Sequence, residues 1–382
     1  MRESENSFLQ LVRLGISTSN ISTSSITDVK ISGNIGWPAI QALAYQHGLS
    51  GVVIDGIEKL PASHRPPQDL LLQWIGEVMQ NYEARYRAYE KAIAELARFY
   101  NGHELKMMIL KGYACSLDWP KPEHRPCGDI DIWLFGKQKE ADALLESFRI
   151  QNSSFKIDRS HHHHTVFEWD DFTVENHYDF VNIHAHRSSA ELENVFKELG
   201  NEANLNENDN HNTIGNQIQS VNVCGEKVYI PSPNLHALFL IKHMVSHFAA
   251  AEISLRQVLD WAFFVEKHTK EIDWDWLNGM LEEFHMNDFV SCINAICVED
   301  LGFEACIFKG VQFNPQLKEW VLNDILEPAY GLAGPMGFFQ SVVYKYKRWQ
   351  GNAWKQEMCY NESRWEYFCS GIWAKLLKPT SS

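Results

Sequence analysis

The sequence predicts helices alone at the two ends of the chain and strands mixed with helices in the middle. Three observations carry this. Apolar residues recur at three- and four-residue spacing through 67–100, and Asp129-Ile130-Asp131-Ile132-Trp133-Leu134 alternates as a half-buried strand does. From Ser232 the pattern turns helical again and stays so to near the end. The chain of 382 residues is too long for one small core. It divides into an N-terminal helical region at 1–100, a core at 101–230 and a C-terminal helical domain at 231–382.

In order, residues 16–36 are rich in Ser, Thr and Asn and read as a loop. Trp37-Pro38 opens a helix carrying Ile40, Leu43, Ala44 and His47, closed by Gly48. A longer helix over 67–100 carries Leu70, Leu71, Trp74, Ile75, Val78 and Tyr82. The apolar run 105–110 has strand length and ends at Lys111-Gly112, with a helix expected from Tyr113 and a stiff proline loop at 120–126. After the alternating strand come a helix at 138–148 and strands at 165–169 and 172–180. The Asn-rich stretch 201–219 reads as a surface loop, and 221–223 with 228–230 as a hairpin. Ser232-Pro233 is a helix start, Ser as cap and Pro in the first turn. No internal repeat is visible.

With 45% hydrophobic residues, wholesale disorder is excluded. Lys and Arg number 34 against 49 Asp and Glu, a net charge of −15. Long nucleic acids, bound largely through Lys/Arg–phosphate contacts, are poor partners for such a chain; a small or basic partner fits better. The segment Tyr344-Lys345-Tyr346-Lys347-Arg348-Trp349 accordingly reads as an exposed helix rather than a base-stacking platform. Eight scattered cysteines without a C-x-x-C pair suggest reduced thiols in a cytoplasmic protein. Neither a signal peptide nor a membrane-spanning segment is expected, since no basic-then-apolar leader and no 18-residue apolar run occurs.

Asp129 and Asp131 are the most informative pair. Residues two apart on a strand share a face, so both acids point away from the core that Ile130, Ile132 and Leu134 enter. Converging carboxylates repel unless a cation lies between them, and Mg²⁺ takes such oxygen ligands together with substrate phosphates. An ordinary solvated strand face is the competing reading. Upstream, a strand ending at Gly112 before a helix offers backbone N–H groups to an anion. Downstream, Glu175 and His177 share one strand face and add a third carboxylate.

The ordered combination of Ile109-Leu110-Lys111-Gly112, Arg125-Pro126-Cys127-Gly128-Asp129-Ile130-Asp131 and Val174-Glu175-Asn176-His177 resembles the uncharacterised bacterial branch of the nucleotidyltransferase superfamily, which includes DNA polymerase beta. Ser232-Pro233 through His243, His247, Leu255-Arg256 and Asp260 is also similar to that branch, and the resemblance runs from Trp37 to about residue 330, weaker beyond 270. It implies an α+β core with a nucleotidyltransferase-like mixed sheet. It further implies two Mg²⁺ (or Mn²⁺) on Asp129, Asp131 and Glu175, and an NTP such as ATP as co-substrate. A nucleoside monophosphate would pass to a hydroxyl acceptor, a small molecule or a protein, with release of pyrophosphate. Glu175 would be the general base. Lys111, Gly112, Arg125, Gly128 and His177 would contact the nucleotide, although Arg125 reads equally well as pinning the proline loop through a salt bridge. The usual G-S or G-G is here Lys111-Gly112-Tyr113, so a hydroxyl contact to the triphosphate is missing or replaced. A cationic small molecule is the first guess for the acceptor.

The run His161 to His164 reads as a polar loop or strand edge, with one ring facing the cleft. His236, His243 and His247 fall within roughly 40° of one another on a helix. They read as a cleft-lining row or as metal ligands; an H-E-x-x-H motif is absent, since the sequence is His243-Met244-Val245-Ser246-His247. Lys242 and Arg256 are candidate anion contacts. Two other functions compete: a catalytically degenerate nucleotide- or partner-binding module of the same fold, and a histidine–metal hydrolase on the 236–247 helix.

Overall fold

The computed structural model describes residues 2–17, 36–151, 155–161, 163–184, 186–205, 215–309, 314–331 and 336–362. Most of the predicted 16–36 loop, the centre of the Asn-rich stretch and His162 lie outside the described residues. Helices α1 (Glu3–Ile16), α2 (Trp37–Gln46), α3 (Ser50–Glu58) and α4 (Gln68–Val78) open the chain. The helix predicted over 67–100 is interrupted. Met79–Ala84 forms a π turn before α5 (Arg85–Asn101). One extra residue per turn rotates the apolar stripe. Tyr82 therefore packs into the core of the helical part while Tyr86 and Tyr89 pack against the sheet.

Strand β1 (Met108–Ile109) is shorter than the predicted 105–110, because the Leu105 N–H still donates to Tyr100 O at the end of α5 (3.0 Å). The helix after Gly112 is a single turn, α6 (Tyr113–Ser116). Then follow β2 (Ile130–Trp133), α7 (Gln138–Gln151), β3 (Ile157–Asp158), β4 (His164–Trp169) and β5 (Phe172–His177). Strand β5 ends before the predicted residue 180 because the buried Glu193 carboxylate accepts the Phe180 and Val181 N–H groups (3.1 and 3.0 Å) and draws the chain off the sheet. Helix α8 (Ser189–Leu199) carries Glu193, and the predicted hairpin is β6 (Gln219–Val223) with β7 (Glu226–Ile230).

The seven strands form one mixed sheet in the order β3-β4-β5-β2-β1-β7-β6. Strand β2 pairs antiparallel with β1 and parallel with β5, and β1 pairs parallel with β7. Alternation divides the faces. Ile109, Ile130, Ile132 and Val174 join Ile93, Leu96 and Leu145 in one core, whereas Met108 and Trp133 turn to the other face and meet Phe180, Phe196 and Phe239. Asp131, between Ile130 and Ile132, shares that second face with Trp133.

Over this face lie the C-terminal helices α9 (Pro233–Ala250), α10 (Leu255–His268), α11 (Trp274–Glu283), α12 (Asn287–Glu299), α13 (Pro315–Leu326), α14 (Phe338–Gly351) and α15 (Ala353–Cys359). Helix α9 is buried on nearly all sides and is the axis of this part. The helices α1 to α4 share their core with these C-terminal helices. Lys345, Tyr346 and Lys347 are exposed on α14. No described helix is long and apolar enough to cross a membrane.

Candidate active site

Parallel pairing of β2 with β5 sets Asp131 opposite Glu175. Neighbouring strands lie about 4.8 Å apart, so the two carboxylates stand side by side on the sheet. Asp131 is only 2% exposed. Two cations meet it: Lys111 Nζ at 3.0 Å from Oδ1, and His177 Nε2, which donates to the same oxygen at 3.2 Å and lies 3.3 Å from Glu175 Oε2. Burial pulls the His177 imidazolium down, but the hydrogen bonds to Asp131 and Glu175 outweigh it and bring the group up to about 9. Burial likewise raises Glu175, yet His177 holds it down near 2. Asp131 is lowered against burial, chiefly by the charge of Lys111. Two acids and two cations thus balance one another at the cleft floor.

Asp129 differs. It precedes β2, is exposed, and has no ion-pair partner among the described residues. Partial burial, then the like charges of Glu175 and Asp131, raise its pKa. Its carbonyl accepts from Tyr89 Oη at 2.8 Å. Gly112 lies beneath, with φ at +64°. A side chain there would bring Cβ to 2.7 Å from the Tyr89 hydroxyl and 3.4 Å from the Asp129 carbonyl, so only glycine fits this turn. The predicted helix N-terminus contributes little, since α6 has one turn and no extended dipole. Gly128 lines the cleft and is exposed, with open space around it.

Arg125 lines the cleft and is held in a salt bridge, as its second reading expected. Its Nε and Nη2 donate to Asp260 Oδ1 and Oδ2 at 2.7 and 2.9 Å, with Trp119 Nε1 on the same carboxylate at 2.9 Å. His124 and Lys121 hold the same proline loop to Asp55 of α3. Arg256 is the contrasting guanidinium. It lines the cleft, no described carboxylate reaches it, and its buried Nε lacks a hydrogen-bond partner.

On α9, His243 and His247 line the cleft with rings 4.4 Å apart, both pushed down by burial and then by the Lys111 charge. Lys242 is buried beside them, its Nζ donating to Tyr360 Oη at 3.2 Å, and burial takes it to about 8. His236 does not belong to this row. Seven residues displace it about 10 Å along the axis, even though its angle matches. It packs 4.8 Å from the Phe264 ring, with Nε2 3.7 Å from Cys115 Sγ, outside the cleft. From the histidine run, two rings rather than one face the cleft: His163 and His164 lie 5.6 and 5.2 Å from the His177 ring, and burial pushes both to about 3. Tyr89, which holds Asp129, carries no local sequence signal; Asp260, which holds Arg125, falls in the stretch similar to the nucleotidyltransferase branch, but nothing local points to its partner.

The cleft has a volume of about 750 Å³, enough for a nucleotide. A carboxylate oxygen from each of Asp131 and Glu175 and a nitrogen of His177 lie within 4.8 Å of one another, a donor set that fits a divalent cation once the cation displaces the His177 proton.

Residues 33–302 match the family described as "Uncharacterised nucleotidyltransferase". Among proteins of curated function none matches significantly. Among solved structures the chain is similar to an antigenic nucleotidyltransferase-like protein from Paracoccidioides brasiliensis, 12% identical, over 57% of this chain and 95% of that one, with a TM-score of 0.31. The family match runs from just before α2 to the end of α12 and takes in Lys111-Gly112, the Asp129–Asp131 pair, Glu175 and the α9 histidines; the chain belongs to the family of uncharacterised nucleotidyltransferases.

Proposed function

We propose that the protein transfers a nucleoside monophosphate from an NTP to a hydroxyl acceptor, with pyrophosphate leaving. The observation that carries this is the in-register placement of Asp131 and Glu175 on adjacent parallel strands, with Asp129 at the lip of the same cleft. Asp129, Asp131 and Glu175 would hold Mg²⁺ or Mn²⁺, which when bound neutralises triphosphate charge and acidifies the acceptor hydroxyl. Glu175 suits the role of ligand better than that of general base, because a carboxyl held near 2 keeps little affinity for a proton. Lys111, beside Asp131, and Arg256, without a carboxylate partner, are the cations available to the triphosphate. Arg125 instead fixes the loop that delivers Asp129. His177 balances the two carboxylates from within the protein rather than touching the base or sugar. Within a lining of mixed charge, Asp129 and Glu252 are the carboxylates that would attract a cationic small-molecule acceptor. The seven described cysteines are free thiols, as suits the cytoplasm.

One observation favours a second reading. Lys111 and His177 already neutralise Asp131, which would also serve a module that binds nucleotide without turning it over. The histidine hydrolase has less support, since His236 stands apart from His243 and His247. The test is pyrophosphate release from a panel of NTPs and acceptors with Mg²⁺ or Mn²⁺. Asp131→Asn should lower it on the order of a hundredfold or more with the fold retained. Unchanged turnover in that variant would sink the assignment, and nucleotide binding without turnover across the panel would support the binding module.

A further inference from the structure

The histidine run has a place in the fold that nucleotidyl transfer does not use. His164 pairs with His177 across the antiparallel β4–β5 ladder, which puts both imidazoles on one face. His163, one residue earlier, accepts the Tyr178 and Asp179 N–H groups on its carbonyl (2.9 and 3.3 Å), and so is folded over the end of β5. The rings of His163 and His164 are 4.3 Å apart. One ring nitrogen from each of His163, His164 and His177 falls within 4.8 Å of the others.

Two of the three imidazoles, those of His163 and His164, are short of partners; His177 already meets Asp131 and Glu175 through Nε2 and the Asp179 carbonyl through Nδ1, so a metal there would take the place of its proton. His164 is 6% exposed, and neither of its ring nitrogens has a hydrogen bond; His163 Nδ1 is buried without one as well. Burying such groups unsatisfied is unfavourable, and a cation that accepts their lone pairs would remove that cost. Glu175 Oε2, 3.9 Å from His164 Nδ1, stands at the edge as an oxygen donor.

We propose that His163, His164 and His177 form a nitrogen-donor site for a borderline transition-metal cation of the Zn²⁺ class, adjoining the carboxylates but separate from the Asp129–Asp131 position. Imidazole selects Zn²⁺, Co²⁺ or Ni²⁺ over the hard Mg²⁺. Bonds of about 2.0–2.1 Å set tetrahedral ligands roughly 3.3 Å apart, so the three rings need draw together only modestly. Three protein ligands leave a fourth position for Glu175 or water. The site stands whether or not the chain transfers nucleotides.

A run of histidines also chelates metal loosely in any conformation, and His177, 13 residues from His164 in sequence, separates the two cases. The full chain, stripped with a chelator, is titrated with Zn²⁺ alone by calorimetry and with Co²⁺ by visible absorption, with no nucleotide present. We expect one tight equivalent and the strong absorption of tetrahedral Co²⁺. His164→Gln and His177→Gln should each weaken binding about tenfold or more, whereas Asp129→Asn and His161→Gln should leave it intact. Loss in His164→Gln with none in His177→Gln would reduce the site to loose chelation, and retention in both would overturn it. Should either variant fail to fold by circular dichroism, X-ray absorption of the Zn²⁺-loaded wild-type chain decides: three histidine nitrogens support the site, one or none refutes it. Mg²⁺-dependent pyrophosphate release is scored separately, so either idea can fail alone.

Discussion

Asp131 shows how much a single buried carboxylate can organise. It is charged inside the protein only because Lys111 and His177 reach it, and removing one partner would leave the other ion uncompensated. His47 and His236 are the opposite case: buried imidazoles with no carboxylate partner, which burial drives down to about 4. His47 stacks on Phe8 at 5.5 Å, and its Nδ1 accepts from the Leu255 N–H at 3.4 Å. Both are neutral in the fold but protonate near 6.5 in the unfolded chain. Their stabilisation is therefore whole above about pH 6.5 and drains away as the pH falls to about 4, by up to about 3 kcal/mol each. Urea midpoints should drop steeply between pH 7 and pH 4.5, and less steeply in His47→Leu. An identical slope in that variant would show that His47 does not carry the effect.

At the scale of elements, the turn at Lys111-Gly112 decides where the Asp131-bearing strand begins, since the Leu110 N–H beside it donates to the Asp131 carbonyl (3.0 Å). Gly112→Ala forces a Cβ against Tyr89 Oη and a side chain into positive φ, and should cost about 2–3 kcal/mol by urea unfolding. Adding Tyr89→Phe should return part of this; complete rescue would show that φ is not strained. This turn, the alternating Asp129–Leu134 strand, the Glu175/His177 strand, the β6–β7 hairpin and α9 were all legible in the sequence, because each is written in local periodicity or a local breaker. Strand pairing is not local. Nothing in the order of residues says that Asp131 lies opposite Glu175, that Arg125 finds Asp260 135 positions away, or that His163 and His164 fold over His177. The π turn is not legible because one extra residue leaves the apolar spacing of 67–100 almost unchanged, and His236 shares the angle of His243 and His247 but not their height along the helix axis.

For the molecule as a whole, the cleft lies between a sheet that supplies the acids and helices that supply Lys242, His243, His247 and Arg256. The −15 charge, at first only an argument against long nucleic acids, has part of its meaning there. The proline loop crosses between the two sides and is fastened twice, to Asp55 on α3 and to Asp260 on α10. A mouth bolted on that edge is expected to act as a jig rather than a jaw: ligands would be sorted by shape on entry, with little binding free energy diverted into swinging domains together. Small-angle scattering should then give the same radius of gyration for the free protein and for the protein loaded with Mg²⁺ and a non-hydrolysable NTP. A contraction on loading would mean that the two fastenings yield.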